Sequence, residues 1–210
     1  MPKINIVLGD AKNYFGDADL ILTDPPYEMP GEILGKILSQ YKSQHLVLIT
    51  SMRQLIELVT AFPLWRISFD FVVDCVVPKK SKNYSTPNYT HQTGVYLTTS
   101  GARSIFDRRL RSRSDVFSDN GYWPTILNAP RNKMKTHGHA KNQTMITDLL
   151  GSFDATTILD PFCGSGTTGF AAFELRRECT LIERDETVFN STAKALRLGG
   201  AVVEIVQMHK

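Results

Sequence analysis

Cysteine is scarce in this chain. Cys75, Cys163 and Cys179 are the only three among 210 residues. They are odd in number and have no C-x-x-C spacing, which excludes a disulfide scaffold and a zinc-ligand pattern and predicts a reducing, cytoplasmic setting. Long hydrophobic runs are absent too. Nothing approaches the roughly 20 apolar residues of a membrane helix, so no membrane partner is expected. Met1-Pro2-Lys3-Ile4-Asn5 leads into no long apolar segment, so no signal peptide is expected. There is no GK[ST] ending of a Walker loop, no internal repeat and no low-complexity tract.

Negative charge is scarce in one stretch. From Lys79 to Lys141 there are 12 Lys and Arg against 3 acids, a net of +9. The remainder holds 12 basic and 18 acidic residues, a net of −6, so the overall +3 is a sum of unlike parts. Such segregation points to a polyanionic partner, or to a solvated basic face. Apolar residues at 42% and charged residues at 21% are enough to bury a core, which excludes a disordered chain. The length suits one domain with a modest insertion.

Short apolar runs at 4–8, 19–23, 46–49, 65–77, 94–97, 156–159, 179–182 and 201–206 predict strands. Helical spacing of apolar residues predicts helices over 31–41, 52–62, about 142–150, 167–175 and 186–198. Strands alternating with helices imply a doubly wound, mostly parallel α/β sheet with helices on both faces. The rhythm lapses over the basic stretch. The expected organisation is a first α/β part at 1–78, a short basic insert at 79–136 and a second α/β part at 137–210.

Two strand ends carry chemistry. Asp160-Pro161-Phe162-Cys163-Gly164-Ser165-Gly166-Thr167-Thr168 follows an apolar strand and opens a helix. Its small residues allow a sharp turn and close approach of a ligand, and the helix N-terminus favours a carboxylate. Glu183 ends the next strand, where an acid typically holds ribose hydroxyls; a surface acid at a helix start is the alternative. Thr23-Asp24-Pro25-Pro26-Tyr27 ends an earlier strand in a rigid turn. It offers a carboxylate, a backbone carbonyl without helix or sheet partners, and an aromatic ring. That set suits a planar group bearing an amine: Asp24 and the Pro25 carbonyl accept its two hydrogens, and Tyr27 stacks on its ring. A Pro-rich loop with a capping Asp is the alternative.

The pairing of Asp24-Pro25-Pro26-Tyr27 with Asp160-Pro161-Phe162-x-Gly164-Ser165-Gly166-Thr167-Thr168 resembles the amino-methyltransferases that use S-adenosylmethionine to methylate exocyclic amines of DNA bases. The order, with DPPY well ahead of the cofactor loop, resembles the circularly permuted, beta-type members. His137-Gly138-His139-Ala140-Lys141 is similar to their HxxxKP element, with Asn142 where Pro is usual. The resemblance implies a Rossmann-like fold and methyl transfer to a flipped-out base in double-stranded DNA. N6-adenine is favoured, because SPPY is the more usual form in cytosine-N4 enzymes; N4-cytosine, RNA and protein amines are the alternatives. It implies S-adenosyl-L-methionine held by Asp160, Phe162, Gly164, Gly166, Thr167, Thr168, Glu183 and Lys141. It also implies Asp10 at the cofactor adenine, although a strand-ending turn Asp would look the same. Arg108, Arg109, Arg111, Arg113, Arg131, Lys133 and Lys135 become the DNA-contact candidates. No metal is expected. The expected setting is a prokaryotic or phage-encoded monomer or homodimer, solitary or in restriction-modification. Tyr84, Tyr89 and Trp123 are expected in a small local core rather than as wedges.

Overall fold

Leu20-Ile21-Leu22-Thr23 and His45-Leu46-Val47-Leu48-Ile49-Thr50 are buried along their whole length, as strands covered on both faces must be. In the computed structural model, which describes residues 2–75, 91–110, 123–129 and 142–207, they lie near the middle of a nine-stranded sheet. The elements run β1 (Lys3–Leu8), a 3-10 turn (Ala11–Asn13), β2 (Leu20–Thr23), α1 (Gly31–Leu38), β3 (His45–Thr50), α2 (Met52–Ala61), β4 (Trp65–Cys75) and β5 (His91–Thr99). They continue with β6 (Ile126–Ala129), α3 (Gln143–Gly151), β7 (Thr157–Asp160), α4 (Thr167–Glu174), β8 (Glu178–Glu183), α5 (Glu186–Leu198) and β9 (Val202–Gln207). The strand order is β6-β4-β5-β3-β2-β7-β8-β1-β9. Among the described residues, only β5 runs antiparallel to its neighbours, β3 and β4.

The period of two along each strand divides the core between the sheet's faces. Leu20, Leu22, Val47 and Ile49 meet Met145, Leu149, Ala171, Phe189 and Leu196 of α3, α4 and α5. Ile21, Leu46, Leu48 and Leu159 meet Leu34, Leu38, Leu55 and Leu58 of α1 and α2. The sheet is therefore doubly wound, as the alternation of elements predicted. α1 stops at Leu38, three residues short of expectation. Tyr41 instead tucks beneath, its hydroxyl donating to the Ala11 carbonyl at 2.7 Å.

The basic stretch also contributes to the sheet. β5 fills the gap between β3 and β4 with Val95, Tyr96 and Leu97 fully buried, and β6 adds an edge strand beside β4. β6 has only four residues, too few for a clear periodicity. Trp123 is in a local core as expected, edge-on to Phe69, Phe71 and Phe106 with its Nε1 donating to Ser152 Oγ at 3.0 Å. Tyr84 and Tyr89 lie outside the described residues.

The topology opens one crevice. β2 leads through α1 to β3 on one side, whereas its neighbour β7 leads through α4 to β8 on the other. Adjacent strands whose connections diverge leave a gap beyond their carboxyl ends, which is where doubly wound sheets place ligands. The opposite ends are tied. The Asp19 carboxylate accepts the Thr156 and Thr157 amides at 2.8 and 2.9 Å and the Thr156 hydroxyl at 2.6 Å. Partial burial pushes this carboxyl up, but the bonds from Thr156 and Thr157 outweigh it and hold the pKa at about 2.

Candidate functional site

Both sequence elements sit at this crevice, and one buried side chain joins them. Asp160, the last residue of β7, is 4% exposed. One of its oxygens accepts the Thr23 hydroxyl at 2.8 Å and the Phe162 amide at 3.1 Å, and the other accepts the Thr168 hydroxyl at 2.6 Å. Thr23 precedes the DPPY turn and Thr168 lies in the first turn of α4, so a single carboxylate bridges the two halves of the site. Burial raises its pKa to about 6, with the three hydrogen bonds working against burial and the nearby Asp24 charge adding to it. A carboxylate with three protein donors is first a connector of strands and loop.

The DPPY turn leaves β2 with Asp24 half-buried, Pro25 buried, Pro26 exposed and Tyr27 half-buried. The Tyr27 hydroxyl donates to Asp24 Oδ1 at 2.7 Å and accepts from the Gln92 side-chain amide of β5. The Met29 amide closes the turn on the Pro26 carbonyl at 3.0 Å. Gln54 Nε2 donates to the Pro26 and Met29 carbonyls at 3.0 and 2.7 Å, and Arg53 donates to the Tyr27 carbonyl at 3.2 Å. Among the described residues, no donor reaches the Pro25 carbonyl. The surroundings of the turn thus restrain every carbonyl from Pro26 to Met29 except that of Glu28, and leave the Pro25 carbonyl open beside Asp24.

The glycine turn after β7 is built for close approach. Gly164 and Gly166 have φ of +48° and +78°, conformations that L side chains rarely adopt. A Cβ on Gly166 would also stand 2.5 Å from Thr192 Cγ2. Gly166 begins α4 without a side-chain cap, so among the described residues no side chain bonds the amides of that first turn. A cavity of about 260 Å³ lies in front, lined by Thr23, Asp24, Asp160, Phe162, Gly164, Thr167 and Thr168 among others. Cys163 also borders it, its thiol pushed up chiefly by burial.

Glu183 is set behind the glycine turn. Its two oxygens accept the Gly164 and Asp185 amides at 3.1 and 2.8 Å. Asp10 stands beside it at the end of the neighbouring β1, where the Gly9 amide bonds the Glu183 carbonyl at 3.0 Å. The Asp10 side chain accepts the Lys12 amide at 3.0 Å and pairs with the Lys12 ammonium at 3.2 Å. The structure therefore gathers Asp24, Asp160, Phe162, Gly164, Thr167 and Thr168 around one cavity. Gly166, Glu183 and Asp10 lie on its supporting side.

A family model described as DNA methylase, of the N6/N4 type, matches residues 72–194, more than half of the chain. The chain belongs to the DNA methylase family. No curated protein sequence matches the methylase, but solved structures share its fold. M1.HpyAVI in complex with SAM has a TM-score of 0.69 at 19% identity, covering 92% of this chain and 98% of that one. TTHA0409 of Thermus thermophilus, also solved complexed with S-adenosyl-L-methionine, has a TM-score of 0.67 at 13% identity over 97% and 99% of the two chains. The cytosine-N4-specific PvuII DNA methyltransferase gives 0.69 at 14% identity over 90% and 84%.

The methylase does not bring all the basic candidates to this crevice. β5 runs antiparallel, carrying the chain from the cavity edge at Thr93, opposite Thr50, to the far edge at Thr98, opposite His45 at the start of β3. Residues 100–110 stay at that far edge, where Asp107 bonds the Ser152 carbonyl and Phe106 bridges Phe153 just ahead of β7. Arg108 and Arg109 therefore lie across the sheet from Asp24. Arg109 is also held by Asp107 through a bidentate pair at 2.6 to 3.1 Å, which raises the guanidinium and lowers Asp107 to about 2. Arg111, Arg113, Arg131, Lys133, Lys135, Lys141, His137 and His139 lie outside the described residues. The described residues flanking 130–141, Ala129 at the end of β6 and Asn142 before α3, both stand at the cavity edge of the sheet. Sequence reasoning missed Thr23, Gln54 and Gln92. Of these only Thr23 carried a signal, as the residue directly before DPPY; the others come from distant elements.

Proposed function

We propose that the chain transfers a methyl group from S-adenosyl-L-methionine to the exocyclic N6 of an adenine flipped out of double-stranded DNA. The observation that supports the reading is the Thr23–Asp160–Thr168 bridge, which makes the DPPY turn and the glycine loop two walls of one cavity. Asp at position 24, rather than Ser, favours adenine. The circularly permuted, beta-type assignment rests on the same order of elements along the chain.

The residues present fit the cofactor. The uncapped first turn of α4 suits its carboxylate, Phe162 its apolar flank, Glu183 its ribose and Asp10 its adenine. Gly164, Gly166, Thr167 and Thr168 shape the methionine end, and Lys141 is proposed to close it. When bound, the cofactor supplies an electrophilic sulfonium methyl. The task of the chain is to prepare the amine, whose lone pair is delocalised into the ring. Asp24 and the open Pro25 carbonyl accept the two amino hydrogens, which favours a tetrahedral nitrogen. The Asp24 carboxylate then meets the positive charge developing there. Tyr27 releases Asp24 Oδ1 to the incoming amine and stacks on the flipped base, a contact worth about 1–3 kcal/mol.

Phosphate contacts are assigned to Arg131, Lys133 and Lys135, whose flanks stand at the cavity edge. Arg108 and Arg109, on the far edge, are given no role in the target complex. The division into 1–78, 79–136 and 137–210 is retained as a functional one only, since 79–136 supplies β5 and β6 to the sheet.

Tritiated methyl transfer to unmethylated duplex DNA tests the reading, and sequencing of the product identifies the base. N4-methylcytosine would overturn the adenine assignment, and label on RNA or protein but never on DNA would sink the DNA reading. Asp24→Ala is expected to abolish transfer while cofactor binding, measured by calorimetry, persists.

A further inference from the structure

Gln54 is fully buried at 0% exposure, an uncommon place for an amide unless its donors and acceptor are all used. Here they are. Nε2 gives its two hydrogens to the Pro26 and Met29 carbonyls at 3.0 and 2.7 Å, and Oε1 accepts the Thr50 hydroxyl at 2.5 Å. Two carbonyl acceptors define which end of the amide is nitrogen. The side chain therefore ties both ends of the Pro26–Met29 turn to the C-terminal end of β3. The backbone of Gln54 is secured in turn, because Ser51 Oγ accepts its amide at 3.3 Å as the N-cap of α2.

We infer that Gln54 is the positioning residue of the DPPY turn: it orients the Pro25 carbonyl and Tyr27 toward the target amine. The inference rests on the methyl-transfer reading above. The mechanical reason lies in the prolines. The Pro26 ring fixes φ near −65°, so ψ of Pro26 is the one soft dihedral between its held carbonyl and the preceding peptide plane, which carries the Pro25 carbonyl. On the other side the held carbonyl leaves Tyr27 little freedom. A misplacement of about 1 Å in such a group can reduce a rate about 100-fold.

Gln54→Met keeps length and volume but has no amide hydrogens to give. Three measurements on this variant and the parent test the role: kcat and KM for DNA methylation, the dissociation constant of S-adenosylmethionine, and hydrogen exchange of the Tyr27, Glu28 and Met29 amides. The expected result is faster exchange confined to that turn and a kcat lowered about 100-fold, with cofactor affinity within twofold. Gln54→Glu adds a rescue. Its protonated carboxyl can donate one hydrogen, so its rate relative to the parent should rise as pH falls. Parental kcat in Gln54→Met, or unchanged exchange at the turn, overturns the inference. So does loss of cofactor affinity in step with kcat, which marks a merely structural residue. A parent chain that methylates no DNA overturns the underlying reading instead, and the two failures are told apart by the parent's own activity.

Discussion

Asp160 concentrates the conflict between burial and charge at this site. In the unfolded chain it titrates near 3.8, and in the folded protein near 6, with burial the leading cause. The folded state therefore holds the proton more tightly between those values. Stability drawn from the protonated form is complete below about pH 4 and is lost as pH rises through 6, an effect of about 3 kcal/mol. Asp160→Asn is uncharged and keeps most of the shape. In calorimetric scans without cofactor, its stability relative to the parent should rise by up to about 3 kcal/mol between pH 4 and 7. A constant difference across that range would show that the carboxyl is not shifted. Gly166 makes a second residue-scale prediction. Its +78° φ and the 2.5 Å approach to Thr192 mean that Gly166→Ala should cost more than the 1–2 kcal/mol or so of the left-handed backbone alone. Gly164→Ala, with open space around it, should cost about that amount, and chemical denaturation separates the two.

At the scale of elements, the site depends on two neighbouring strands staying in register. β2 and β7 pair directly at only Leu20–Ile158 and Ile21–Leu159, and the Asp19 carboxylate grips the start of β7 with three bonds. Asp19→Ala should destabilise the fold by about 1–3 kcal/mol, measured by denaturant melts. The folded pKa of about 2 is below the ordinary 3.8, so this contribution is present at neutral pH and fades as pH falls from about 4 toward 2. Thr23→Val acts at the opposite end of the same strand. It removes one donor from Asp160 and should weaken cofactor binding less than methyl transfer, because the cofactor loop keeps Thr168.

For the whole molecule, the distribution of charge gains a direction. The antiparallel β5 sends Arg108 and Arg109 to the far edge, while the described residues that flank 130–141 stay beside the cavity. Replacing Arg131, Lys133 and Lys135 by Gln should raise the DNA dissociation constant several-fold and flatten its dependence on salt, with a slope lowered by about 0.9 per lost phosphate contact. Arg108→Gln with Arg109→Gln should leave both nearly unchanged. Gel-shift titrations over a range of salt concentrations measure both, and equal effects would return DNA contacts to the far edge.

The chain order of apolar runs, glycines and prolines was sufficient for a doubly wound sheet and for two strand-end turns, because strand period, helix period and turn chemistry are local properties. The DPPY turn and the glycine loop were legible for the same reason, each being contiguous. What brings them together was not. The Thr23–Asp160 bond, Gln54 beneath the turn, Gln92 against Tyr27 and the exile of Arg109 all join residues far apart in sequence. Strand order and the reversal of β5 decide such meetings, and these follow from how the whole apolar surface is buried rather than from any one segment.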